Sequence, residues 1–327
     1  MAKNYTAEAE SLSESEWEDA LVAPLTAVVP RALAGLRTDQ ALAKMFPQYS
    51  RNRLQAWLKT GHVRVKRGAS EIFLEGSAPV TGGEQVELVP PPAAVAAMPP
   101  AQRMPLDIVF EDGDLIVINK PAGLIVHPGA GNPDRTLMNG LLAHAPMLRQ
   151  VPRAGIVHRL DKDTSGLLVV AKNLSAQARL AAQLAERSVK RTYLALVHGD
   201  PPARGAIDAP IGRDTRVRTR MAVTRRGKEA RTNYRVLERF GHAALLECRL
   251  ETGRTHQIRV HLQHIRHPVI GDPVYRRGTR HGVPFPRQAL HAAALELVHP
   301  RSGKPMGWSA PLPADMKKLL AKLKRDG

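Results

Sequence analysis

The chain of 327 residues predicts an α+β protein: a mixed, largely antiparallel sheet with flanking helices, joined to a small N-terminal module. Three observations carry this reading. Apolar runs of strand length outnumber amphipathic helical stretches, and most follow one another with no helix between, unlike a parallel βαβ sheet. A proline-rich stretch, from Pro90-Pro91-Pro92 through Pro99-Pro100 to Pro105, divides a short segment from a long one. Prolines favour extended geometry, so residues 90–105 read as a stiff linker. The length, finally, is enough for two units with a sizeable core.

Residues 1–24 hold Glu8, Glu10, Glu14, Glu16, Glu18 and Asp19 against one lysine, and read as a disordered acidic tail. Residues 25–89 form the small module. Asp39 stands near the start of a helix that carries Ala41, Leu42 and Met45. Ser50 is placed to cap a second helix with Leu54, Trp57 and Leu58 on one face, and Gly61 to end it. His62-Val63-Arg64-Val65 alternates like a strand.

Residues 106–327 form the large domain. Leu115-Ile116-Val117-Ile118 reads as a strand, as do 193–197, 233–237, 243–250 and 290–298. Residues 174–187 and 255–265 read as helices, the second from Ile258, Leu262 and Ile265. Met316, Leu319, Leu320 and Leu323 make an apolar stripe near the C-terminus, as in a docked terminal helix.

Net charge is +18, which points to a polyanion as partner. Aromatics are 4%, too few for base stacking to dominate binding. Cys248 is the single cysteine, which excludes a disulfide framework and a cysteine-rich zinc site. It sits in a strand-like run and reads as a buried apolar residue. No apolar stretch has membrane-spanning length and no signal peptide is evident, so a cytoplasmic protein is expected.

The chemistry concentrates in His158-Arg159-Leu160-Asp161-Lys162-Asp163-Thr164-Ser165-Gly166, directly before the apolar run 167–171. Charges at the edge of a core are costly unless paired, and a loop before a buried strand can hold them at a cleft. This string resembles the signature of the RluA-type pseudouridine synthases. The resemblance implies the pseudouridine-synthase fold, with Asp161 as catalytic carboxylate and Arg159 filling the gap left by a flipped nucleotide. A second string, Thr252-Gly253-Arg254-Thr255-His256-Gln257-Ile258-Arg259-Val260-His261, resembles the family's second motif. There the resemblance implies that Arg254 pairs with the catalytic carboxylate. A guanidinium would keep that carboxylate ionised. Lys190-Arg191-Thr192-Tyr193 resembles a third element, whose tyrosine packs on the target base; a plain core tyrosine is the competing reading for Tyr193.

Pseudouridine formation breaks a uridine's glycosidic bond, turns the base and rejoins it through C5. Positive charge develops on the sugar, which a carboxylate can meet as nucleophile or base. No cofactor and no metal are expected. Asp161 and Asp163 need not converge, and His256, His261 and His264 fit no common zinc spacing.

The region 36–68 resembles an S-four-type RNA-binding domain, in which Arg51, Arg53 and Lys59 would contact phosphates. Arg216, Arg218 and Arg220 lie in an arginine-rich stretch that reads as an RNA-contacting loop. Length, linker and module are most similar to the branch of the family that modifies large-subunit (23S) ribosomal RNA, with the helix 69 stem-loop as expected target. The alternatives are a sister branch acting on other ribosomal RNA sites and a non-catalytic RNA-binding ribosome-assembly factor. A glycosidase shares the carboxylate chemistry, but so basic a chain does not suit a neutral sugar.

Overall fold

A computed structural model describes residues 24–47, 49, 51–68, 70–89, 99–129, 132–215, 217, 220–276 and 283–326. The acidic stretch thus lies outside the described residues except for Pro24, and so do Ser50, Arg216 and Arg218. The chain divides into two compact units, the first ending at Met98 and the second beginning at Pro99.

The first unit contains β1 (Leu25–Val28), α1 (Thr38–Met45), α2 (Arg51–Lys59), β2 (Val63–Arg67), β3 (Ser70–Ile72) and β4 (Gln85–Leu88). Its strands form an antiparallel sheet in the order β1-β4-β2-β3. Leu42, Leu54, Trp57, Leu58, Val65 and Leu88 make one core, so the apolar faces read from helical spacing meet the sheet. Gly61 follows α2 at φ +76°, a left-handed position that favours glycine. Asp39 is not a cap. It lies inside the first turn of α1, where its buried carboxylate accepts from Arg37 and Arg51.

The second unit contains β5 (Ile108–Glu111), β6 (Leu115–Lys120), α3 (Leu137–His144), β7 (Ser165–Ala171), α4 (Leu174–Ala185), β8 (Lys190–His198) and β9 (Arg204–Asp208). Then come β10 (Ile211–Arg213), β11 (Met221–Val223), β12 (Arg231–Arg239), β13 (Ala243–Leu250), α5 (Gln257–His264), β14 (Leu290–Val298), β15 (Pro305–Ser309) and α6 (Ala314–Asp326). The main sheet runs β5-β6-β7-β14-β8-β13-β12-β9, with β15 also on β14. Its pairings are antiparallel except β7 with β14, so the expected mixed, largely antiparallel sheet is observed.

All seven residues of β7 are buried. Each fully buried leucine or valine there contributes about 1.5–3 kcal/mol from removal of apolar surface. Gly166 opens this strand at φ +111°, and a Cβ there would collide with the Ala292 backbone. Glycine at this point is what lets β14 approach β7, and so fixes the end of the sheet where the charged loop sits.

Residues 90–98 lie outside the described residues, but the following segment is seated on α3. Asn139 Nδ2 donates to the Pro100 carbonyl at 2.8 Å, and Gln102 N donates to the Asn139 carbonyl at 3.0 Å. Extended chain leaves its polar groups free to bond sideways, and a capped helix offers partners. Among the described residues, no helix is long and apolar enough to cross a membrane.

Candidate active site

The loop before β7, the inner face of β8 and the turn from β13 into α5 enclose a cavity of about 420 Å³. Its lining holds five arginines, Arg153, Arg159, Arg191, Arg254 and Arg259, and one carboxylate, Asp161. Asp161 stands in a tight turn closed by a Thr164 N–H donating to the Asp161 carbonyl at 3.1 Å. The neighbouring Lys162 carbonyl accepts from Gly123 N and from Lys120 Nζ, both at 2.9 Å. Lys120 is fully buried and also donates to the Pro121 and Leu124 carbonyls. Burial pulls its ammonium down to about 7, opposed by Asp163 and Asp161. Three carbonyl acceptors, one for each N–H, also favour the charged form. Lys120 is therefore a pin that ties the loop after β6 to the loop carrying Asp161.

The partner of Asp161 is Arg259, not Arg254. Arg259 Nη1 donates to Asp161 Oδ2 at 2.9 Å. Its Nε and Nη2 donate to the two oxygens of Asp272 at 2.6 and 3.0 Å. This corrects the expectation for Arg254, whose Nε donates to the Glu229 carbonyl at 2.9 Å. The physical reason is local. Arg254 precedes the helix, and its own N–H is tied to Gln257 Oε1 at 2.9 Å. His256 then turns the chain at φ +57°, so α5 begins at Gln257 and carries Arg259 inward. The helix starts later than the expected residue 255 because of this left-handed residue.

Asp272 is fully buried and also accepts the Val274 and Tyr275 N–H groups at 2.8 and 2.9 Å. Burial would raise its carboxyl, but the hydrogen bonds and charge of Arg259 hold it below the ordinary range. Arg259 in turn is held above its ordinary value: burial opposes its charge, and Asp272 and Asp161 outweigh that. The guanidinium is gripped bidentately from behind and presents one N–H to Asp161, a geometry that orients the carboxylate.

His256 Nε2 lies 3.8 Å from Asp161 Oδ1. Its Nδ1 meets the Tyr275 hydroxyl at 2.9 Å, and that hydroxyl also accepts the Met221 N–H at 2.9 Å. Burial lowers the His256 ring below its usual value, with Asp161 opposing. His127 and His158 also line the cavity as neutral rings. Burial brings His127 to about 4, helped by Arg159 and Arg153. Burial brings His158 to about 3, helped by Arg191.

Tyr193 lies in β8 with its ring in the cavity wall, buried at 6% exposure. Burial raises its hydroxyl pKa, opposed by Arg191. Arg159 is exposed beside Asp161. Arg220 is not a free surface cation: it donates to the Val274 carbonyl at 2.7 Å and packs over the Tyr275 ring. Arg51, Arg53 and Lys59 stand on α2 of the first unit, where Arg51 bonds Asp39 at 2.8 Å and Arg53 lies over Trp57. Cys248 is buried, its thiol pushed up to about 12 by burial.

Among the described residues, the one group whose ligand atoms converge as for a metal is Asp112, Asp114 and His299. It is satisfied internally: Asp112 accepts from His299, and Asp114 accepts from Arg301 and Asn173. The Asp163 carbonyl is taken by Arg287 at 3.0 Å.

Sequence reasoning passed over Arg259, Asp272, Tyr275, Lys120 and His127. Gly271-Asp272-Pro273 was readable as a turn, since an Asp bonds its own backbone two and three residues on. Its ion pair with a helix 13 residues earlier had no local signal.

Residues 114–264 match the family described as RNA pseudouridylate synthase. A ribosomal large subunit pseudouridine synthase D from Nitrosomonas europaea is 54% identical over 324 residues, covering 97% of this chain and 92% of that one. A protein of the same name from Escherichia coli is 49% identical over 315 residues, covering 92% and 95%. The solved human RNA pseudouridylate synthase domain containing 1 superposes with a TM-score of 0.52 at 29% identity, covering 69% of this chain and 97% of its own. The human domain containing 4 gives 0.53 at 28%, covering 66% and 92%. Similarity of this order over nearly the whole chain, with both sequence motifs lining one cavity, places the chain in the RNA pseudouridylate synthase family.

Proposed function

We propose that this protein converts uridines of large-subunit ribosomal RNA to pseudouridine, with Asp161 as the catalytic carboxylate. The observation that carries this is a lone carboxylate in a cavity of arginines, held by Arg259 from one side and open to the cavity on the other. An ionised carboxylate can attack the sugar or accept its proton as the glycosidic bond breaks, and no water has to be activated. The base then turns and rejoins through C5, releasing the hydrogen there. Tyr193 supplies the apolar wall against the base, and Arg159 occupies the space of the extruded nucleotide. The relatives named ribosomal large subunit pseudouridine synthase support ribosomal RNA as substrate. With that substrate the enzyme works in the cytoplasm.

The first unit acts as an S-four-like RNA-binding domain through Arg51, Arg53 and Lys59, and the segment with Arg216 and Arg218 adds phosphate contacts. The target is the helix 69 stem-loop of 23S rRNA, where extrusion of a loop base is cheapest. Pseudouridine mapping of 23S rRNA from cells with and without this gene tests the proposal. Loss of helix 69 pseudouridines on deletion supports it. Loss at other sites moves the target, and an unchanged map removes ribosomal RNA as substrate.

A further inference from the structure

Arg191 stands in β8 two residues before Tyr193, so strand alternation points both side chains to the cavity face. It is 9% exposed. Its Nε is buried with no hydrogen-bond partner, and no carboxylate among the described residues pairs with it. The nearby Asp161 is engaged by Arg259. The neighbours of Arg191 include three neutral groups: the His158 ring, the Tyr193 hydroxyl and the backbone at Gly253. His158 deepens the anomaly. Its Nε2 accepts the Val169 N–H at 3.1 Å, which leaves the proton of the neutral ring on Nδ1, and Nδ1 is also buried without a partner.

The glycine of the second motif is explained by the same guanidinium. Gly253 has no left-handed φ, but a Cβ there would lie 2.7 Å from Arg191 Nη1. A side chain at 253 would push the Arg191 guanidinium aside. A guanidinium at 9% exposure with a buried, unpartnered Nε and no carboxylate partner among the described residues is unfavourable in the free protein. Its planar fork matches an anion with two oxygens to offer.

We propose that Arg191 is a phosphate subsite, taking a backbone phosphodiester of the RNA that flanks the target uridine, with His158 Nδ1–H as a second donor. This rests on the proposed RNA substrate and extends it to one group of that substrate. The phosphate completes the charge balance that the protein leaves open, so the cavity favours a nucleotide within a chain over a free nucleoside.

The test is a chemical double-mutant cycle read by equilibrium binding, with full-length protein and a stem-loop RNA carrying the mapped uridine. Each phosphodiester flanking that uridine is replaced in turn by an uncharged methylphosphonate. One replacement should weaken wild-type binding about tenfold or more. Arg191→Met should weaken binding of unmodified RNA to a similar extent and lose little more with that methylphosphonate RNA. Gly253→Ala, which displaces the guanidinium, should behave the same way. The RNA-free Arg191→Met protein should melt no lower than wild type, since it sheds an unpaired buried charge. Methylphosphonate effects equal in wild type and Arg191→Met at every position would overturn the subsite. A lower melting temperature for Arg191→Met would make the arginine structural instead. With every protein in the cycle carrying Asp161→Asn, binding is read without turnover, so failure of the reaction itself leaves this test standing.

Discussion

Replacing Arg259 by lysine keeps the charge and removes the fork. In the native protein the guanidinium makes three hydrogen bonds at once, at 2.6 and 3.0 Å to Asp272 and 2.9 Å to Asp161. A single ammonium cannot span both carboxylates, and the fully buried Asp272 holds it. The contact to Asp161 is then lost. A hydrogen bond to a charged group contributes about 1.5–3 kcal/mol. At about 1.4 kcal/mol per factor of ten, kcat/KM should fall by about tenfold to 150-fold. Arg254→Lys should change it by less than about threefold, because among the described residues the Arg254 side chain hydrogen-bonds the Glu229 carbonyl and not Asp161. The assay is the initial rate of tritium release from RNA containing C5-tritiated uridine, over a range of RNA concentrations, with melting curves to verify folding. The reasoning is refuted if Arg254→Lys costs more than Arg259→Lys.

Asp161→Asn should abolish tritium release while RNA affinity stays within about threefold, since the carboxylate carries chemistry and not binding; measurable turnover in a clean preparation would remove Asp161 from that role. Acid should destabilise the fold through His158, which takes up a proton near 6.5 when unfolded and near 3 when folded. Between those values the unfolded chain binds more protons, so lowering the pH from about 6.5 to about 5 costs about 2 kcal/mol; a flat melting temperature across that range would contradict this. The chain from Pro99 onward should fold alone but show a shallower fall of RNA affinity with salt than the full protein, because the cations of the first unit are missing; equal slopes would mean that unit does not touch the RNA. Turnover should survive chelator once RNA folding is controlled for, because the converging Asp112, Asp114 and His299 already satisfy one another and their neighbours; loss restored by one specific divalent ion would reopen the chemistry.

Much of the architecture was legible because its signals are local. The apolar run before Lys172 is β7, the strand-like run at 243–250 is β13, and the amphipathic stretch from Leu174 is α4. α3 went unread because Leu137–His144 is apolar nearly all round, so no stripe marks it. Its start is set by a reciprocal Thr136–Asn139 cap that looks like any polar pair in sequence. The charged loop before β7 was legible too, since a dense polar string before a buried strand demands partners. Which partners it receives was not. Arg254 and Arg259 share one motif and one residue type, and only the left-handed turn at His256 decides which of them faces Asp161, 98 residues earlier in the chain. The same holds for Asp272 behind Arg259, for Lys120 beneath the loop, and for Arg191 left without a carboxylate. Sequence specifies strongly what neighbouring residues do to one another, through period, caps and turns. An ion pair across the sheet depends on distances of a few ångströms between distant segments, and those exist only once the strands have registered and packed.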